Sequence, residues 1–130
     1  MNPTTGAATT IGPIGYSNVT DLAMSPLGVL YAIASGGGSS SYIYQINSST
    51  GAGTLVATLN VPNLMGLTYD VAGNLYATNY TANSTLYSVN LGSQSLTPIG
   101  QAGFVSHGLD AIVPSPSRQR YRLLPGRQSE

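Results

Sequence analysis

The sequence predicts an all-β chain assembled from a tandem repeat of short strands, and three observations carry that expectation. The 130 residues are 42% hydrophobic and only 6% charged, which suits a globular domain with a buried core better than a disordered segment. Aromatic bulk is almost entirely tyrosine, nine Tyr and one Phe against no Trp, and Gly, Ser, Thr and Asn fill the spaces between apolar runs. Such a mixture favours short strands joined by tight turns. The third observation is self-similarity. Leu22-Ala23-Met24-Ser25-Pro26-Leu27-Gly28-Val29-Leu30-Tyr31-Ala32 aligns without gaps on Leu67-Thr68-Tyr69-Asp70-Val71-Ala72-Gly73-Asn74-Leu75-Tyr76-Ala77, an offset of 67 − 22 = 45.

The same offset carries Asn2-Pro3-Thr4-Thr5-Gly6-Ala7 onto Asn47-Ser48-Ser49-Thr50-Gly51-Ala52. A third copy opens at Leu86-Tyr87-Ser88-Val89-Asn90, which matches Ile43-Tyr44-Gln45-Ile46-Asn47. A period of about 40–45 residues filled with several short strands is the signature of a β-propeller. The expectation is therefore a partial β-propeller: two complete four-stranded blades at 22–58 and 67–101, with strands of incomplete flanking blades at 1–12 and 108–113.

Each strand of a unit follows from pattern and turn chemistry. Met65-Gly66-Leu67-Thr68-Tyr69 reads as the innermost strand, and Asp70 at the first turn position with Gly73 at the fourth ends it in a type I turn. Ser25-Pro26-Leu27-Gly28 repeats that turn with Pro fixing φ. The second strand is Leu75-Tyr76-Ala77-Thr78, the third Leu86-Tyr87-Ser88-Val89-Asn90, and the fourth Leu96-Thr97-Pro98-Ile99, where Pro98 requires a sheet edge. Within the third strands, Tyr44 and Ile46 share one face and Ile43 points to the other, so both faces call for burial, as in a blade between neighbours. The tyrosines accordingly read as packing residues with a polar tip.

Missing residue types exclude much chemistry. Without cysteine there are no disulfides, thiolate nucleophiles or zinc-thiolate sites. Without lysine there is no Walker-type phosphate loop and no Schiff-base amine, so Gly36-Gly37-Gly38 among its serines is a loop. Formal net charge is zero, which gives no electrostatic steering toward nucleic acid or an anionic membrane. No apolar run approaches the roughly 18 residues of a membrane span, and no leader opens the chain. Four Asn-x-Ser/Thr sites begin at Asn18, Asn47, Asn79 and Asn83, a density that follows from the composition itself.

His107 is the only imidazole, and Ser106 beside it would point to the opposite face of a strand, so no catalytic constellation is expected. No metal or cofactor site is expected either. Thr20, Met65 and His107 instead share one repeat position, each two residues before the equivalent Leu22, Leu67 and Leu109. That position varies while its neighbours repeat. Where inner strands enter a propeller, loops and strand ends converge on the channel mouth, so these three residues are the candidate ligand-binding set, with Asp21, aligned on Gly66 and Gly108, as a secondary member.

Gly66-Leu67-Thr68-Tyr69-Asp70 followed by Gly73-Asn74-Leu75-Tyr76-Ala77-Thr78-Asn79-Tyr80 resembles the repeat of NHL and YVTN-type propellers over about residues 1–113. The resemblance implies a propeller fold and no one activity, since these families include extracellular ligand binders, interaction scaffolds and metal-dependent lactonases. The expected function is a non-catalytic binding or protein-interaction module, extracellular or at the cell surface, taking a protein or glycan-like ligand. The alternative is a fragment of a lactonase-like enzyme whose catalytic residues lie in other blades. The repeats would lack Asp and Glu for such a site, holding only Asp21, Asp70 and Asp110.

Residues 114–130 form a Pro/Arg-rich tail that carries every basic residue of the chain, Arg118, Arg120, Arg122 and Arg127, and is expected to be disordered. Two blades and a fraction are too few to close a ring, so the chain should need further blades or self-association, for which a six-bladed ring of two chains is the simplest form.

Overall fold

The computed structural model describes residues 2–35, 38–103 and 108–109. Among these there is no helix, and eight strands form two four-stranded antiparallel sheets. The first sheet holds β1 (Val19–Met24), β2 (Leu30–Ser35), β3 (Ser41–Ile46) and β4 (Gly53–Leu59) in that spatial order. The second holds β5 (Leu64–Tyr69), β6 (Leu75–Asn79), β7 (Thr85–Asn90) and β8 (Ser95–Gln101), again in order. Each sheet is a meander, which short turns between consecutive antiparallel strands allow.

The two sheets share several local features. The β1–β2 turn closes with the Gly28 N–H donating to the Ser25 carbonyl at 2.9 Å, and the β5–β6 turn with Gly73 donating to Asp70 at 3.1 Å. Both glycines have positive φ, 84° and 90°, as a type I turn followed by a left-handed residue demands. Asn47 lies just beyond β3, and its side-chain oxygen accepts from the backbone of Ser49 and Thr50. Asn2 does the same with Thr4 and Thr5. Bulges recur too: β3 and β4 slip register between Ile43 and Tyr44, and β7 and β8 between Leu86 and Tyr87. Pro98 lies on β8, an edge strand, opposite Tyr87.

The sheets pack face to face. Ala23, Ile33, Ile43, Ala57 and Leu59 of the first meet Leu64, Leu67, Leu75, Ala77 and Val89 of the second or of the strand leading into it. Ile33, Ile43, Leu59, Leu64 and Leu67 are fully buried, each contributing on the order of 1.5–3 kcal/mol of transfer free energy. The first sheet's other face carries Ala32, Ala34, Tyr44 and Ile46, also buried. Its cover is not a strand but the segment before β1, through Ile14 and through Tyr16, whose ring stacks on Tyr44 at 4.0 Å.

That segment corrects one expectation. Residues 1–12 were expected to supply an outer strand, yet 2–18 contain none. Among the described residues no strand lies alongside to complete a ladder, and Pro3 and Pro13 lack the amide donors a ladder uses. The segment crosses the start of β4 instead: the Gly53 N–H donates to the Ile14 carbonyl at 2.9 Å, and Gly51 lies so close to Gly12 that a Cβ there would stand 2.5 Å from the Gly12 oxygen. Of the expected inner strand at 108–113, Gly108 and Leu109 belong to no strand, and 110–113 lie outside the described residues. The tail at 114–130 and most of the Gly36-Gly37-Gly38 loop lie outside them as well.

Candidate ligand-binding site at the inner strands

β1 and β5 are the first strands of the two sheets, and they lie side by side. Both bulge at the same repeat position. β1 pairs Val19 with Ala34 and then Asp21 with Ile33, leaving Thr20 unpaired, while β5 pairs Leu64 with Asn79 and then Gly66 with Thr78, leaving Met65 unpaired. A bulge re-aims the extra side chain and twists the strand, and bulges concentrate beside binding sites. Immediately before each bulge stands an asparagine with positive φ, Asn18 at 59° and Asn63 at 58°. Their carbonyls accept from the ends of the second strands, Ser35 N–H at 3.1 Å and Tyr80 N–H at 2.7 Å.

Thr20 is exposed and its hydroxyl lies 3.4 Å from the Ile33 carbonyl and 3.5 Å from that of Leu64, so it reaches across the seam between the sheets. Met65 is half-buried. Asp21, half-buried, has a structural employment: one carboxylate oxygen accepts from Leu22 N–H at 2.9 Å and the other from Leu67 N–H, also at 2.9 Å. It therefore ties β1 to β5 through a charge-assisted bond. His107 lies outside the described residues. The structure thus brings Thr20, Asp21 and Met65 to one seam.

Gly66 shows why aspartate is confined to the first copy. A Cβ at Gly66 would stand 2.5 Å from the Thr78 hydroxyl and 3.0 Å from Gly108 C and Leu109 N. The backbone of 108–109 thus approaches Gly66 where that of Leu67 approaches Asp21.

A second clamp was not foreseen from the sequence. The Ser41 hydroxyl, completely buried, donates to the Val61 carbonyl at 2.7 Å and accepts from Leu64 N–H at 3.1 Å. It fastens the connection between the sheets to the first of them. The signal available was the recurrence of Ser41, which opens β3, as Ser84, also fully buried, just before β7.

The sheet ends away from the bulges carry a concavity of about 440 Å³ between the two equivalent turns, walled by Pro26, Leu27 and Val71 and floored by Tyr31 and Tyr69. The phenol rings lie 5.7 Å apart at 43°. Burial, then the neighbouring Tyr31, pushes the Tyr69 hydroxyl up to about 12, so it remains a neutral donor at ordinary pH. Asp70, in the second turn, is half-buried and its carboxyl is held below the usual range by hydrogen bonds from Asn74. It accepts from the backbone of Ala72 and Asn74, the work of a turn residue.

The seam presents a hydroxyl, amides, a thioether and the half-exposed ring of Tyr80. The described residues hold no group of three His, Cys, Asp or Glu side chains that would bind a metal ion, and no helix among them is long and apolar enough to cross a membrane. Of the glycosylation-type asparagines, Asn79 is buried with its side-chain oxygen accepting from Thr85 N–H, and the Asn83 amide donates to Gln101. Compared with protein-family models, curated proteins and solved structures, the chain matches none.

Proposed function

We propose that the two sheets are successive blades of a partial β-propeller and that the chain is an extracellular or surface binding module that recognises its ligand without turning it over. The observation that carries the reading is the pair of bulges at Thr20 and Met65, one repeat apart, on inner strands lying side by side. A repeat that keeps its backbone device while changing the side chain at its tip, Thr in one copy and Met in the next, behaves as a scaffold with a variable contact position. His107 occupies the third such position in sequence. The hydroxyl and amide groups around Thr20, with the Tyr80 ring nearby in the second copy, favour a small neutral polar ligand such as a glycan over an ionic one. Asp21 acts by holding β1 against β5, and so positions the site.

Amide chemical-shift mapping of the full chain with a panel of neutral oligosaccharides tests this. The expected response centres on Asn18–Asp21 and Asn63–Gly66 and weakens several-fold in Thr20→Ala and Met65→Ala. Shifts confined to β4 and β8, or turnover of a lactone or ester panel that His107→Ala abolishes, would refute it.

A further inference from the structure

β4 combines an edge position with an adhesive sequence. Among the described residues it ends the first sheet, and its seven residues, Gly53-Thr54-Leu55-Val56-Ala57-Thr58-Leu59, include no charge and no proline. An uncharged, proline-free segment of that length at a sheet edge is a template for pairing with another strand. β8, at the end of the second sheet, is interrupted by Pro98 and presents a broken edge. β4 has a bulge opposite the Ile43–Tyr44 step and no such break.

Two amides of β4 are engaged within the chain instead. At its start the Gly53 N–H donates to the Ile14 carbonyl at 2.9 Å. Near its end the Thr58 N–H donates to the Gln94 side-chain oxygen at 3.0 Å. Gln94 lies in the turn between β7 and β8, so this bond runs from one sheet to the other. Its backbone is left-handed, with φ of 54°. Four residues after Asn90, it stands where Gly6 follows Asn2 and Gly51 follows Asn47, and those glycines have φ of 75° and 84°. Glycine adopts that conformation freely, whereas glutamine does so at a steric cost. Gln94 is exposed, so burial does not offset that cost, and the hydrogen bond its side chain makes is the one to Thr58.

We infer that Gln94 is a latch over the β4 edge, whose left-handed turn holds its amide on Thr58 and, together with the Ile14 carbonyl, closes that edge to β4 of a second copy of the chain. A strand added there takes the same amide donors, so latching and pairing exclude each other. The latch stands on the turn geometry and does not require the oligosaccharide site.

The test compares the full chain with two variants. Gln94→Gly keeps the left-handed turn and removes the acceptor, and Gln94→Asn tolerates the same backbone but is one methylene shorter. Hydrogen exchange at the Thr58 amide should accelerate at least about tenfold in both, beyond any change at Ile33 and Ile43, which report on the body of the sheet. Light scattering should show both variants associating at concentrations about tenfold below those at which the parent chain does so. Adding Leu55→Lys, at an exposed position of β4, should suppress this association while Thr58 exchange stays fast. Unchanged Thr58 exchange, association equal to that of the parent chain, or association that survives Leu55→Lys would each overturn the inference.

Discussion

Replacing Asp21 with alanine removes the carboxylate that, among the described residues, joins the two sheets. Two amides lose their acceptor, but unequally. Leu22 is half-exposed and water can take over its N–H, whereas Leu67 is 1% exposed and its N–H would be stranded at the seam. The expected loss is therefore that of one charge-assisted hydrogen bond with its buried donor left unpaired, about 2 kcal/mol. Asp21→Asn keeps an acceptor oxygen without the charge and should lose roughly half as much. Urea unfolding followed by far-ultraviolet circular dichroism measures both, with an unchanged m-value showing that stability alone has moved. Amide exchange at Leu67 provides the local readout and should accelerate in Asp21→Ala beyond the global change. A loss below about 0.5 kcal/mol, or equal losses in the two variants, would refute the assignment of Asp21 as the tie between the sheets.

Gly66→Ala places a methyl 2.5 Å from the Thr78 hydroxyl and 3.0 Å from the backbone at 108–109, so it should lose about 1–3 kcal/mol by overpacking, part of which Gly66→Ala/Thr78→Ala recovers. Gly6 and Gly51 occupy the same repeat position with φ of 75° and 84°, but only Gly51 has backbone against it, the Gly12 carbonyl. Alanine at Gly6 should therefore cost about 1 kcal/mol of left-handed strain, and alanine at Gly51 clearly more, in paired thermal melts. Tyr69 deprotonates at about 12 in the folded chain, above the unfolded value of roughly 10. Its contribution is thus fully present below the unfolded value and is lost as pH rises through the folded one. Burial also raises Tyr44 and Tyr76, so phenolate absorbance should show a late tyrosine phase, and Tyr69→Phe should remove its last part and flatten the alkaline decline.

Much of this architecture is written in local pattern. The strands expected at 75–78, 86–90 and 96–99 lie within β6, β7 and β8, because alternation and the Asp70-to-Gly73 turn are decided by neighbours in sequence. Tyr44 and Ile46 opposite Ile43 were readable for the same reason, a two-residue period with both faces apolar. What depends on distant placement was not readable. The employment of Asp21 exists only because β5 comes to rest beside β1, 46 positions on. The segment from 2 to 18 shares its opening turn with Asn47–Ala52, which suggested a strand, but whether it pairs or drapes over Tyr44 is settled by which neighbour is present. Thr20 and Met65 were legible as a variable repeat position, while their bulges are a matter of register and not of residue type.

The central claim is that the two four-stranded sheets stack face to face with β1 beside β5. Methyl–methyl nuclear Overhauser contacts in the full chain test it most directly. The account predicts cross-peaks from Ile33, Ile43 and Leu59 to Leu64, Leu67 and Val89, together with contacts from Ile14 to the Ile46 side of the first sheet. Methyl contacts confined within each sheet, with the two sheets tumbling independently, would contradict it.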